Sequence, residues 1–485
     1  MAAAEERGDV RPGPDRAVPE WQFKALYFNM YAAFGVLSPY MALFFQSKKF
    51  SKPLIGTFCF LPNVCSVIFG PIISTWADKM HTHDTVMVVS LLLGILSTLC
   101  MLYVEEGLVL AMALFVLLGA VVRSPLTSIF DSSVIAQVGS NRFGEFRLFG
   151  AASFGIFSLI GGVAITPSGD ASNGVSTNYT PLFYSNAFFA SLAAFLVFNI
   201  GRGKSSNVVD VDYGVVDVTS RHETLTDHRL SPDLALRSHG VETTTAHVAV
   251  VPLIIARFRQ LWPQIVCFFM VTMVSGVADG IIDAFLFVRL ADLGGSGVLC
   301  GIGRFVTCAS EVVVFRYAGK IYEKLGCWRC LAVTQIAFVL RFSGYLLLTT
   351  SSVWCVVILE ALNGLTFALT WQASCMYAAS IAPRGAESTM QSLLESVHWG
   401  LGSGLGALGA GFVYHNHGAE TLFSGAALLC CVSLAFSLVG VILLEENKPF
   451  EEKSPQLVSE VVGNQFTEEQ EKTCELVFQR PEKTI

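Results

Sequence analysis

The chain has 485 residues, 53% of them hydrophobic and 14% charged, with a formal net charge of −7 at pH 7. That balance is too apolar for a surface bathed in water, which excludes an ordinary soluble multidomain protein and requires lipid around much of the surface. The net charge says little about partners, because much of it sits in the acidic tail after Glu445; the expected surroundings are a lipid bilayer, with no nucleic acid.

In chain order, residues 1–21 are polar and bear prolines, which predicts a disordered cytosolic leader and not a cleavable signal. Apolar spans follow near Gln22–Gln46, Pro53–Ala77, Asp84–Val104, Leu108–Phe130, Arg147–Thr166 and Pro181–Gly201, together a first six-helix bundle over residues 22–201. Several are continuous runs of roughly 20 residues, enough to cross a hydrocarbon core as helix, and they do not alternate as barrel strands would. Residues 202–258 are rich in Ser, Thr, Asp and His up to Val248 and form a predicted cytosolic central loop. A second bundle, residues 259–445, has spans near Leu261–Leu290, Val298–Tyr317, Leu331–Thr349, Val353–Ile381, Ser388–Tyr414 and Leu422–Leu444, and residues 446–485 form an acidic, disordered cytosolic tail. The predicted fold class is therefore an all-α membrane protein of twelve transmembrane helices in two pseudo-symmetric six-helix bundles.

The two sets repeat at an offset of about 245 positions: Gly56 maps on Gly301, Asp78-Lys79 on Glu323-Lys324, Gly119 on Gly364 and Gly161 on Gly406. Basic residues in short loops (Lys79, Arg142, Lys320, Lys324, Arg329, Arg384) fall on one side, which predicts that both termini and the central loop are cytosolic, although Lys48, Lys49 and Lys52 lie opposite. The sequon Asn178-Tyr179-Thr180 falls in an outer loop and makes Asn178 a weak glycosylation candidate, since Pro181 follows it. Most cysteines lie within apolar runs and read as small buried hydrophobes, and the isolated Cys327/Cys330 pair does not make a metal site.

Ionisable groups cost several kcal/mol in a bilayer and mark a cavity or a partner. Arg123, Asp131 and Arg147 lie in the fourth and fifth spans. Asp279 and Asp283 share one face of the seventh, and Arg304 and Glu311 one face of the eighth; Arg341, Glu360, Glu395 and His398 follow. Interhelical salt bridging suits Arg123 and Glu395 best, being nearest helix ends, whereas Asp279, Asp283, Glu311 and Arg341 sit near mid-span and read as functional. The ladder Gly400, Gly402, Gly404, Gly406, Gly409 and Gly411 lets helices touch closely. No His/Glu metal motif or Ser/Lys dyad appears in the spans, so no enzyme, metal or cofactor is expected.

The runs Gly144-Glu145-Phe146-Arg147-Leu148-Phe149-Gly150, Ser310-Glu311-Val312-Val313-Val314-Phe315 and Leu340-Arg341-Phe342, and Ala382-Pro383 followed by Thr389-Met390-Gln391, resemble one branch of the major facilitator superfamily. That branch contains lactose permeases, nucleoside:proton symporters and the eukaryotic domain-containing protein 6 relatives. The resemblance implies a monomeric carrier of a small polar organic solute, sugar- or nucleoside-like, working by alternating access with the proton as coupling ion. It implies that Arg147 and Glu311 grip solute hydroxyls, that Phe154 covers the solute's apolar face, and that Asp131 is the partner acid of the fourth span, displaced by about one turn. It further implies that Arg341 helps set the proton site, that Asp279 and Asp283 are the acidic pair of the seventh span, to which Arg304 is added as a candidate of the charge network, and that Asp78 and Lys79 form a gate that lacks its usual downstream residues. The tenth-span positions that hold lysine, histidine and the proton-binding glutamate in lactose permeases are Glu360, Asn363 and Thr366 here. Asn363 joins the solute-site candidates and Glu360 the proton candidates, beside Glu311 and the seventh-span aspartates. An uncoupled facilitator, or a transporter-shaped receptor or scaffold, are the alternatives.

Overall fold

The computed structural model describes residues 19–80, 82–138, 143–165, 177–205, 262–382 and 387–444. Most of the expected leader, central loop and tail, together with Arg142, Arg384 and the side chain of Asp78, lie outside the described residues.

Every described element is helical. Helix α1 (Glu20–Leu37) passes through a 3-10 turn at Ser38–Tyr40, where Pro39 removes a backbone donor, into α2 (Met41–Ser47). Then come α3 (Lys52–Met80), α4 (His83–Tyr103), α5 (Val109–Arg123), α6 (Leu126–Val138), α7 (Phe143–Ile165) and α8 (Thr180–Ser205). Pro125 separates α5 from α6. The second set is α9 (Trp262–Asp292), α10 (Gly297–Leu346), α11 (Val356–Glu360), α12 (Thr370–Ile381), α13 (Glu387–Glu395) and α14 (Gly404–Val439). Two π-helical stretches, Gly364–Leu369 and Ser396–Ser403, lead into α12 and α14.

Ten segments of the described residues are long and apolar enough to cross a membrane, and the chain is a multi-pass integral membrane protein. Two of them, Gly297–Leu346 with 50 residues and Thr389–Ile442 with 54, far exceed the ~20 residues of one crossing. Each is interrupted at a glycine with positive φ, Gly326 at 75° and Gly418 at 84°, a conformation that side chains with a Cβ rarely adopt. The first segment folds back at this point: Leu299 and Leu348, near its two ends, share one core cluster, whereas Ala318 and Cys330, flanking Gly326, share another. Large side chains such as Leu110, Leu347 and Ile358, 84%, 78% and 73% exposed, lie on the outer surface, as an apolar environment allows.

The short connections around Lys48, Glu106, Tyr179 and Leu293 lie on one face, hereafter the loop face; Glu20, Ser205 and Trp262 end on the other, the termini face. One core cluster at the loop face draws residues from both halves, among them Tyr40, Phe45, Phe285, Phe342 and Phe423. Toward the termini face the clusters separate: one holds Leu26, Leu91, Phe130 and Phe146 of the first half alone, and two others hold only second-half residues. The halves are joined at the loop face and have independent cores at the termini face.

The sequence repeat is visible in this joint. A Cβ at Gly56 of α3 would run into the Ala407 carbonyl of α14, and a Cβ at Gly301 of α10 would run into Ser158 and Leu159 of α7, so the two glycines play equivalent parts about a pseudo-twofold axis. Within the ladder, Gly400, Gly402, Gly404, Gly406 and Gly411 all meet a neighbouring helix. Gly409 does not: nothing lies near its Cβ position, because helical rotation turns it off the contact face.

Candidate functional site

On the first half, Tyr27 and Tyr31 stand one turn apart on α1 and face α6 and α7. The Tyr27 hydroxyl donates to Asp131 Oδ1 at 2.6 Å. The Arg147 guanidinium reaches the Tyr31 hydroxyl and lies within electrostatic range of Asp131, Tyr27 and, from the second half, Glu395. Arg147 is exposed and yet surrounded by these polar groups, as a side chain on a cavity wall is. Phe154, two turns further along α7, is half-buried, its backbone against Gly35 of α1.

On the second half, the charges form two tiers. The inner tier is centred on Arg341, which is fully buried on α10. Its Nη2 donates to Glu360 Oε1 at 2.9 Å, its Nη1 to Asn363 Oδ1 at 2.6 Å and to Thr366 Oγ1 at 2.7 Å, and its Nε to the Tyr345 hydroxyl at 3.0 Å. Glu360 also accepts from Tyr345 and, on Oε2 at 2.9 Å, from Thr307. Every group in this tier has a partner, as a buried ion pair needs if its desolvation is to be offset. Glu360, Asn363 and Thr366 owe their convergence to the end of α11 and the π-helical stretch after it, which lets successive polar side chains face one guanidinium.

The outer tier is less buried and lies near the first half, Asp283 within electrostatic range of Cys59 and Arg304 of Tyr40. Arg304 Nη2 donates to Asp283 Oδ1 at 2.8 Å, and the carboxylate is half-exposed while the guanidinium is mostly covered. Glu311 accepts on Oε1 from Asn363 Nδ2 at 2.6 Å; among the described residues its Oε2 has no hydrogen-bond donor, and it is half-buried. Asn363 therefore bridges the tiers, with its amide nitrogen on Glu311 and its amide oxygen on Arg341.

A third cluster surrounds His398, in the π-helical stretch Ser396–Ser403. Its Nδ1 lies 3.2 Å from the Thr272 carbonyl and its Nε2 3.3 Å from Asp279 Oδ2, both on α9. Trp399 and Trp371 pack edge-on to the imidazole, with ring centroids 4.9 Å and 5.5 Å away.

The structure thus brings Asp131 near Arg147, and Glu311, Asn363, Arg341 and Glu360 into one connected array. Asp279 and Asp283, expected to act as a pair on one helical face, go to different partners, His398 and Arg304, because α9 is clasped by both α10 and the His398 stretch. Arg123 makes no ion pair among the described residues; its guanidinium is held by Thr98 Oγ1 and the Gly119 carbonyl, at 3.0 Å each. Glu395, expected to serve packing, faces Arg147. Lys79 is exposed, and the Asp78 side chain that would pair with it lies outside the described residues. Asn178 is exposed and its side chain accepts from the Thr180 amide at 3.0 Å, starting α8. Sequence reasoning missed Tyr27, Tyr31, Thr307 and Tyr345, although helical spacing held the signal: Tyr345 is four residues from Arg341, and Thr307 four from Glu311. Among the described residues no His/Cys/Asp/Glu group is arranged to hold a metal ion.

A family model described as the MFS_1 like family matches residues 20–425, most of the chain. The chain belongs to this family of the major facilitator superfamily. Membership sets it among transporters and not among enzymes, and the fold agrees. The chain is 21% identical over 428 residues to the maltose permease of Geobacillus stearothermophilus, covering 87% of this chain and 93% of that one. It is 24% identical over 176 residues to the major facilitator superfamily domain-containing protein 6-like protein B of Xenopus laevis, covering 36% of this chain and 28% of the frog protein. The match thus spans under a third of that relative's length. Among solved structures, the nucleoside transporter NupG superposes with a TM-score of 0.63 at 13% identity, over 88% of this chain and 99% of that one.

Proposed function

We propose that this chain is a secondary transporter of a small polar organic solute, sugar- or nucleoside-like, working by alternating access and coupled to protons. The reading takes the two glycine-interrupted segments as two crossings each, giving twelve spans in two six-helix bundles (residues 22–201 and 259–445), with both termini cytosolic and the protein acting as a monomer. It rests on one observation above others: the halves share a core at the loop face only, and toward the termini face Arg147, with Asp131 and Tyr31, lies within electrostatic range of Glu395 of the other half, while the half-buried Glu311 of that half keeps an oxygen without a donor among the described residues. A guanidinium fork on one side and an unsatisfied carboxylate oxygen on the other offer a polyhydroxyl ligand directed hydrogen bonds. Phe154, two turns deeper than Arg147, offers a ring for an apolar face. The names of the similar proteins, a maltose permease and a nucleoside transporter, support this solute class.

An uncoupled facilitator is the second reading, favoured by Glu360. Both its oxygens are committed to Arg341, Tyr345 and Thr307, which leaves no open position for a travelling proton at that carboxylate.

The test is a two-step assay on purified protein. Thermal-shift screening of sugars and nucleosides finds the ligand, since a compound at 100 times its Kd adds ~2.7 kcal/mol of stability. Uptake of that compound into proteoliposomes, with and without an imposed pH gradient, then separates the readings. Accumulation driven by the gradient supports the symporter, equilibration alone the facilitator, and no binding or uptake of either class defeats both.

A further inference from the structure

We propose that Asp279 and His398 form a one-proton binding site between α9 and the π-helical stretch Ser396–Ser403, and that loading it decides how firmly those two elements are joined. The inference deepens the proton-coupled reading and rests on it for its role in transport; proton binding itself is measured separately.

The Thr272 carbonyl can only accept, so His398 Nδ1, 3.2 Å away, carries a hydrogen and donates it. That fixes the tautomer and turns the other ring nitrogen, Nε2, toward Asp279 Oδ2 at 3.3 Å. Both atoms are sealed from solvent, Asp279 being 7% and His398 1% exposed, and among the described residues neither has a hydrogen-bond partner, the 3.3 Å contact between them being an ion-pair distance. With no proton between them, a nitrogen lone pair and an anionic oxygen face one another in a buried site, which is repulsive. One proton, bonded either to Nε2 or to Oδ2, makes the contact attractive and changes the charge of the pair from −1 to 0. The pair as seen is thus a site for a single proton.

The surroundings confine that charge change. From α9 itself, Asp283 lies one turn on. Among the described residues, Arg341 and Glu311 of α10 and the Cys430 thiol of α14 are the other titratable or charged groups recorded within electrostatic range of Asp279. The imidazole is enclosed by Trp371 and Trp399, and among the described residues no charged group other than Asp279 is paired with it. Backbone contact on the same seam is close: a Cβ at Gly276 would strike the His398 carbonyl, and one at Gly280 would strike Ser403. A repulsive, deprotonated pair therefore loads a seam that has little slack, and the π-helical turn, with its irregular hydrogen bonding, is where the strain can be relieved.

The two indoles beside the ring supply the readout, because an imidazolium quenches indole emission and a neutral imidazole does so far less. Full-length protein in nanodiscs is titrated from about pH 5 to 9. With the proton on Nε2 the expected result is reversible emission that rises with pH, lost in His398→Gln and in Asp279→Asn, and kept in Glu311→Gln. Asparagine at 279 can donate its amide to Nε2 and so hold the seam without a proton. With the proton on Oδ2 emission stays flat and the expected result is instead a protonated-carboxyl infrared band that disappears as pH rises, absent from Asp279→Asn but present in Trp399→Phe; this measurement also serves if His398→Gln fails to fold. Emission and infrared spectra that are flat with pH, or changes that persist in both Asp279→Asn and His398→Gln, overturn the site. Uptake that ignores the proton gradient while the wild-type emission still titrates defeats the proton-coupled reading and leaves the proton site standing.

Discussion

Lys52 of α3 and Asp292 at the end of α9 lie 3.2 Å apart, and the same carboxylate accepts from Tyr414 at 2.6 Å and from Gln46 at 3.2 Å. The Lys52 ammonium also sits 3.6 Å from the centre of the Tyr414 ring. Four side chains from both halves thus converge on the loop face, where the shared core also lies. Asp292 is the hub, since each of the other three would lose its acceptor with it.

Replacing Asp292 with Asn should loosen the joint. The side chains of Lys52 and Asp292 are 27% and 31% exposed, so screening keeps the effect to about 1 kcal/mol, a roughly five-fold shift in the equilibrium between closed and open loop faces. Cys59 lies about two turns along α3 from Lys52. In a chain whose other cysteines are replaced, its labelling by an impermeant maleimide from the loop face should speed up by that factor. An unchanged rate would mean that the glycine contacts alone hold the face shut.

The Arg341 and Glu360 network should behave as structure first. Glu360→Ala leaves a fully buried guanidinium without its counter-charge and should cost about 3–5 kcal/mol, read as a large drop in the unfolding midpoint of the purified protein. Replacing both residues with leucine should cost less than that single change, because no buried charge is then left alone. A single variant as stable as wild type would remove Arg341 and Glu360 from the structural framework.

Arg147→Lys and Glu311→Gln should each abolish or sharply reduce uptake while leaving the protein folded. A glutamine at 311 can still accept from Asn363, so the packing survives, but the charge offered to the solute is gone. Lysine at 147 keeps the charge but loses the fork. A charged hydrogen bond contributes about 1.5–3 kcal/mol, so each change should lower kcat/KM roughly 10- to 150-fold. Uptake at the wild-type rate in either variant takes that residue out of the solute site.

Topology offers the simplest check. Tags at Asn178 and within residues 202–258 should report opposite sides of the membrane, the second on the side of the termini. Both tags on one side would sink the proposed arrangement of spans.

Much of the architecture was legible in the residues alone. Apolar runs of spanning length marked the helices, and Gly326 and Gly418 interrupt the two longest between the spans expected on either side. The offset of about 245 foretold that Gly56 and Gly301 would do the same job in the two halves. The candidate charges were legible too, because an ionisable group within an apolar run is conspicuous whatever surrounds it. Helical periodicity also fixed which of them share a face, and left open what that face meets.

Only the tertiary structure decided the partners. Asp279 and Asp283 are one turn apart on α9, yet one meets His398 and the other Arg304, since a helix packed between two neighbours can present adjacent turns to different ones. Thr272 and His398 are 126 positions apart and Asn363 and Glu311 are 52, separations over which no local rule operates. The π-helical stretches shift the angular register of the residues in and after them, so the directions of Thr366 and His398 do not follow from a 3.6-residue repeat. Burial, which divides Glu360 and Arg341 inside from the half-buried Glu311 and the half-exposed Asp283, depends on how closely whole helices approach. The sequence determined which residues carry charge into the membrane; the packing of the two halves decided which of those charges neutralise one another and which keep an unpaired oxygen or an exposed side chain.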